Sequence, residues 1–246
     1  MMNAADQLEG VSLRLADVRR RIEECARRAA RDPAEITLVA VSKTHPASLV
    51  AQAIRAGARD LGENKVQEAG EKIEEIKLAD DLPRARWHLI GHLQSNKARR
   101  AVQLFDVIHT LDSVTLVERL ERLCEEENRA ELPVLAQLSL AGEATKAGAQ
   151  VEELASIIER INACTRVRLM GLMTMPPFSE DREAARPYFR ALRELRDEWQ
   201  GRGAFSSGAG ELSMGMSHDY EVAIAEGATM VRVGTAIFGA RERPQA

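Results

Sequence analysis

Eight short, largely apolar runs alternate with stretches of helical periodicity along this chain, and few folds accommodate such an alternation. The runs are Ile36–Ser42, Asp60–Gly62, Trp87–Ile90, Val107–Leu111, Val134–Leu140, Val167–Met173, Glu211–Met214 and Thr229–Val233. Several are continuously apolar rather than alternating, the pattern of strands covered on both faces, which is that of a parallel sheet under helices. Strand–helix–strand crossovers are right-handed, and eight such units close into a barrel. The expected fold is therefore α/β, a single (β/α)8 TIM-type barrel, with an open doubly wound sheet as the alternative. A chain of 246 residues suits that barrel, and no Pro/Gly/Ser-rich linker divides it, so one domain spanning 1–246 is expected.

The helical stretches fit between the runs. Leu8, Val11, Leu15, Val18, Ile22 and Cys25 recur at steps of three and four, which predicts an amphipathic helix within an extension of about residues 1–31, stopped by Asp32-Pro33. Further helices are predicted over Pro46–Ala56, Lys65–Leu78, Asn96–Leu104, Ser113–Glu127 and Val151–Ala163, with Ser113 as an N-cap. Leu192, Leu195 and Trp199 mark a sixth, whose start Pro187 leaves open. Ser217 or Asp219 caps a seventh that Gly227 ends.

Composition narrows the function. Net charge is −4 with acidic and basic residues interleaved, and Arg19–Arg21 and Arg27-Arg28 share a helix with Glu23 and Glu24, so a solvated face is expected and not a nucleic-acid footprint. Cys25, Cys124 and Cys164 are odd in number and widely spaced, unlike a disulfide or zinc framework. His88, His92 and His109 lack metal-ligand spacing. No apolar run approaches the roughly 20 residues of a membrane span, and Met1–Gly10 lacks the basic and apolar regions of a leader. A cytoplasmic protein without membrane contact is the expectation.

Barrel chemistry gathers where the strands' C-terminal ends meet, so residues just past each run are the candidates. Lys43 stands at such an exit. A lysine partly withdrawn from water has a lowered pKa, and its neutral amine attacks a carbonyl to form an imine; the plain alternative is a rim lysine with its head in solvent. Ser213-Met214-Gly215-Met216-Ser217 and Val233-Gly234-Thr235-Ala236 bring small residues, hydroxyls and backbone N–H groups to adjacent exits, where barrels bind phosphate, although glycines also simply permit tight turns. A phosphate grip beside an aldehyde-trapping amine is what pyridoxal 5′-phosphate requires. Arg232, inward by strand alternation, suits a pyridine nitrogen or equally a rim salt bridge. Asn64 suits a ring hydroxyl or the cap of the next helix. His45-Pro46 and Pro176-Pro177 shape loops.

These segments together resemble the pyridoxal-phosphate homeostasis protein family, whose fold is similar to the N-terminal barrel of alanine racemase. The resemblance rests on Ala40–Thr44, Gly62–Glu68, Trp87–Lys97, Gly142–Gly148, Met170–Pro177, Leu212–Ser217 and Val231–Gly239, from about the first strand to near the C-terminus. It implies Lys43 as the Schiff-base lysine and Asn64 near the cofactor ring. It further implies Ile90 in the pocket wall, Arg232 near the pyridine nitrogen, and Ser213, Met214, Gly234 and Thr235 around the phosphate. Two departures alter local contacts: Lys65 stands where the family pattern has tyrosine, and Ser139 where asparagine is usual.

The function that follows is a carrier of pyridoxal 5′-phosphate in intracellular homeostasis, with little turnover, serving recipient apoenzymes as a monomer or dimer. An amino-acid racemase is the alternative. Two-base racemisation needs a second proton donor opposite the lysine, and the only tyrosines, Tyr188 and Tyr220, fall in or near helices. A class I aldolase-like barrel would also use a strand-end lysine and a phosphate site, but without a bound chromophore.

Overall fold

The computed structural model describes residues 4–79, 81–141, 147–206 and 208–239, with side chains from Gly10 onward. Its eight strands are β1 (Thr37–Val41), β2 (Asp60–Glu63), β3 (Arg86–Leu89), β4 (Val107–Leu111), β5 (Leu132–Leu138), β6 (Val167–Thr174), β7 (Glu211–Met216) and β8 (Met230–Val233). All neighbours pair in parallel, and β1 closes on β8 with Thr37 beside Met230 and Val39 beside Arg232. The expected closed barrel is the observed one, and the open sheet is excluded.

Nine helices are found among the described residues: α1 (Ala4–Arg28), α2 (Ala47–Arg55), α3 (Val66–Lys77), α4 (Ala98–Leu104), α5 (Val114–Glu126), α6 (Leu154–Asn162), α7 (Arg186–Gly201), α8 (Tyr220–Ala225) and α9 (Thr235–Phe238). The predicted α1 face is borne out at Val11, Leu15, Val18, Ile22 and Cys25, all buried, while the Leu8 side chain lies outside the described residues. Pro187 falls in the first turn of α7, where its missing N–H is not needed, and so belongs to the start of the helix. β5 begins two residues earlier than predicted because Pro133 sits near a strand start, where a lost ladder donor is tolerated. Asp219 precedes α8, yet its Oδ1 accepts from Met216 N–H at 2.6 Å instead of capping the helix.

Two apolar layers follow from strand alternation. Side chains such as Leu38, Ala40, Leu61, Leu89, Val134 and Val231 point outward into a core shared with the helices. Val107, Leu135, Met173 and Met230, from four different strands, fill part of the barrel's interior. The three cysteines are buried and free, and burial lifts the Cys124 and Cys164 thiols to about 11, leaving them protonated at neutral pH. No described helix is long and apolar enough to cross a membrane.

Candidate functional site at the barrel mouth

The exit of β1 is a tight, strained turn. His45 N–H donates to the Ser42 carbonyl at 3.1 Å, and between them stand Lys43, half-buried, and Thr44, whose φ of 68° is unusual for a residue with a branched Cβ. Such a conformation costs on the order of 1–3 kcal/mol and persists only where its surroundings fix it. Here Glu68 of α3 accepts from the Thr44 N–H at 2.5 Å. Glu68 is held in turn by Lys72 at 3.2 Å, and the buried Lys72 ammonium also donates to the Ser42 carbonyl at 2.8 Å and to Glu63 Oε1 at 2.5 Å. Ser42 Oγ donates to the same Glu63 oxygen at 2.6 Å. Burial pushes the Glu63 carboxyl above its usual range, with the Lys72 ammonium pulling the other way. Residues of β1, β2 and α3 thus over-determine the backbone that carries Lys43.

The neighbouring exits press against this turn. Asn64 follows β2, and its Oδ1 is buried with no hydrogen-bond partner among the described residues. A Cβ on Gly91, just past β3, would lie 2.3 Å from the Asn64 carbonyl oxygen, so only glycine lets these exits approach so closely. Ile90 is buried, and its Cδ1, with Val39 and Val41, closes over Gly62, where an added Cβ would meet these side chains at 3.0–3.4 Å. On the other side of β1, the Cα of Gly234 lies against Val41, where an added Cβ would come within 3.1 Å of the Val41 carbonyl oxygen. Lys43, Asn64, Ile90 and Gly234 are therefore brought together on one arc of the mouth formed by β8, β1, β2 and β3.

The exits of β7 and β8 divide differently from the sequence reading. Gly234 N–H donates to Ser217 Oγ at 3.1 Å, and exposed Thr235 follows at the first position of α9. Ser217 is half-buried at this turn, whereas Ser213 is fully buried within the barrel, where its Oγ accepts from Arg232 Nη1 at 2.6 Å and meets His109 Nδ1 at 2.9 Å. Met214 is fully buried with its side chain in the outer core, so its backbone alone faces the turn. Gly215, near the end of β7, takes φ 90°, and an added Cβ there would run into Ala223 and Tyr220.

Arg232 points inward, as alternation predicted, and the rim salt-bridge alternative does not occur among the described residues. Its Nη2 donates to the Thr174 carbonyl at 3.0 Å. Burial lowers the guanidinium to about 10, which leaves it charged at neutral pH. Beyond Ser213 a line of polar groups crosses the interior: His109 Nε2 meets His88 Nδ1 at 2.8 Å, and His88 Nε2 meets Asp60 Oδ1 at 2.9 Å. The residues just past the strands include Ser217, within the Ser213–Ser217 exit named above, but not Lys72, Glu68 or this interior line.

Other predicted features sit away from the mouth or outside the described residues. Tyr220 packs in the outer core and Tyr188 lies on α7. Lys65 is exposed at the start of α3, and Ser139, past β5, bonds through its N–H to the Ala149 carbonyl. Of the Gly142–Gly148 segment, residues 142–146 lie outside the described residues.

A lysine on a braced strand exit beside a small-residue turn, in a closed eight-stranded barrel, fits the alanine-racemase class of barrel, and sequence comparison assigns the chain to that class. The family model described as alanine racemase, N-terminal domain, matches residues 13–242. Alanine racemase from Clostridium difficile overlays with a TM-score of 0.67 at 17% identity, covering 93% of this chain and 60% of that one, a likeness of fold alone. Within the class the relatives are specific. The pyridoxal phosphate homeostasis protein of Pseudomonas aeruginosa is 44% identical over 93% of this chain and 94% of its own length, and the human protein of that name 39% identical over 95% and 87%. PipY of Synechococcus elongatus, solved with PLP bound, is 39% identical with a TM-score of 0.81, covering 93% of this chain and all of that one. This chain belongs to the pyridoxal phosphate homeostasis protein family.

Proposed function

We propose that this protein holds pyridoxal 5′-phosphate covalently on Lys43 and serves in the cytoplasm as a carrier of that cofactor for recipient apoenzymes, with little or no turnover of its own. The observation that carries the reading is the arc itself. Lys43 lies between an amide oxygen that lacks a donor, on Asn64, and a hydroxyl/N–H pair at Ser217 and Gly234. These residues fit the cofactor: the orphaned Asn64 Oδ1 suits a ring hydroxyl, and the Ser217–Gly234 turn with Thr235 suits a phosphate. Ile90 and Val41 offer the ring an apolar wall, and Arg232 offers a fixed cation toward the pyridine nitrogen.

Bound pyridoxal phosphate supplies an aldehyde carbon and an electron-withdrawing ring. The chain's own residues do the rest. The strained turn holds the Lys43 amine at the mouth, so little further ordering is needed on binding. Ser217, Gly234 and Thr235 give the phosphate neutral donors and so recognise it by hydrogen bonds. Arg232 always donates and never accepts a proton from the site, which favours an unprotonated ring nitrogen and a weak electron sink. Ser213 belongs to Arg232 in this assignment, and Ser217 takes the phosphate role that the sequence suggested for Ser213. Neither tyrosine supplies a second base at the mouth, which supports carriage over racemisation.

The test mixes the purified protein with pyridoxal phosphate, follows the near-visible band of the bound form, and then incubates the loaded protein with L-alanine under chiral analysis. A saturable band with no racemisation is expected. Turnover of about 1 s⁻¹ or faster, the ordinary enzyme range, would overturn the carrier assignment, and no band would overturn the cofactor assignment.

A further inference from the structure

Asp60, His88, His109, Ser213 and Arg232 come from β2, β3, β4, β7 and β8, and their contacts of 2.9, 2.8, 2.9 and 2.6 Å join them into one line through the barrel. His88, His109 and Ser213 have no exposed surface, and among the described residues no other side chain hydrogen-bonds to any of the three. Asp60 lies at the opposite end, at the start of β2, where half-exposed Arg86 also donates to it at 2.7 Å. Among the described residues, Asp60 is the only carboxylate hydrogen-bonded to the line, while Asp219 acts on Arg232 through its charge.

The direction of every bond follows from donor inventory. A guanidinium only donates, so Ser213 Oγ accepts from Arg232. The single Ser213 proton then goes to the one remaining neighbour, His109 Nδ1, which must be bare. A neutral His109 carries its proton on Nε2 and gives it to His88 Nδ1; His88 is therefore also protonated on Nε2, facing Asp60. Burial, with His88 and Arg232 close by, holds the His109 imidazole well below its usual value, in agreement with a neutral ring. Asp60 is held below its usual carboxylate range: burial opposes this, but the His88 and Arg86 hydrogen bonds outweigh it. The reverse direction would make His88 an imidazolium and leave the Ser213 hydroxyl proton without an acceptor, at about 1–3 kcal/mol for a buried unmade bond.

We propose that Asp60, His88 and His109 are positioning residues for Arg232: they form a one-way donor relay by which the carboxylate at the closed end of the barrel fixes the Ser213 hydroxyl and, through it, the guanidinium at the mouth. As a role in holding the ring nitrogen, this rests on the function proposed above; as a statement about tautomers, it does not.

Two measurements test it. The first is ¹⁵N NMR of histidine in the ligand-free protein, where His88 and His109 should both be neutral with bare Nδ1 and protonated Nε2 at about pH 8, above the ordinary histidine range. An imidazolium at His88, or Nδ1–H at either ring, overturns the relay whatever the protein binds. In Asp60→Asn the amide can accept or donate toward His88, so a second tautomer should appear at His109, two links away; an unchanged His109 contradicts transmission. The second measurement titrates pyridoxal phosphate into Asp60→Asn in the parent and in an Arg232→Gln background. A charged acceptor is worth more than a neutral one, so a loss of about threefold to tenfold is expected in the parent and little or none in the Arg232→Gln background. Equal losses in both backgrounds, or none in the parent, refute action through Arg232. If the parent binds no cofactor, the proposed function fails and the NMR result alone decides the relay.

Discussion

Lys72→Met tests what holds the Lys43 turn in place. The Lys72 ammonium is only 4% exposed and donates to the Ser42 carbonyl, Glu63 and Glu68. Methionine keeps most of the stem but none of the donors. It leaves Glu63, whose side chain is wholly buried, with the Ser42 hydroxyl as its one remaining partner among the described residues and its Oε2 unpartnered among them. Breaking a buried pair by removing one member costs about 3–5 kcal/mol, because the other charge stays buried. For a chain of this size 1 kcal/mol moves Tm by about 2–4 °C, so a fall of about 6–20 °C is expected by circular dichroism. The double variant Glu63→Gln/Lys72→Met removes both charges and should recover more than about 1 kcal/mol of the loss. The folded single variant should also bind pyridoxal phosphate more weakly, since Glu68 loses the cation that keeps it against the Thr44 N–H. A loss below about 1 kcal/mol, or a double variant no more stable than Lys72→Met, would refute the role given to this pair.

The mouth residues should separate by ligand. Ser217→Ala/Thr235→Val should weaken pyridoxal phosphate by about 10²–10⁴-fold, from roughly 1.5–3 kcal/mol per charge-assisted bond, while leaving unphosphorylated pyridoxal nearly unaffected in the same titration. Ser213→Ala should weaken both aldehydes alike, because it acts on Arg232 and not on the phosphate. For stability against pH, the depressed His109 means that the unfolded chain, titrating near 6.5, takes up the proton first. Its contribution is present above about pH 6.5 and lost below it, approaching about 1.4 kcal/mol per pH unit. Denaturant unfolding between about pH 7.5 and 5 should show that steepening in the parent and not in His109→Gln.

Legibility in the sequence followed how local the cause was. The barrel was readable because β-branched runs and three/four spacing are properties of neighbouring residues, and Lys43 because strand exits follow from the runs. An exit read as a string of residues does not give depth: Ser213 and Ser217 share a parity, yet Ser213 lies fully buried within the barrel and Ser217 half-buried at the turn. His88 and His109 looked unrelated at 21 residues apart, since only closure of the barrel sets β3 and β4 side by side and aims both rings at Asp60 and Ser213. Lys72 leaves no local signal because its partners, Ser42 and Glu63, stand at two strand exits that α3 reaches only in the folded molecule.

The central claim is that one lysine carries the cofactor. Borohydride reduction of the pyridoxal-phosphate-loaded protein, followed by peptide mapping over its six lysines, tests this directly. The reduced adduct is expected on Lys43 alone, with no adduct and no near-visible band in Lys43→Ala, whose melting temperature stays close to that of the parent because the side chain stands at the mouth outside the packed layers. An adduct confined to Lys97, Lys146 or another lysine, or an undiminished band in Lys43→Ala, would contradict that claim.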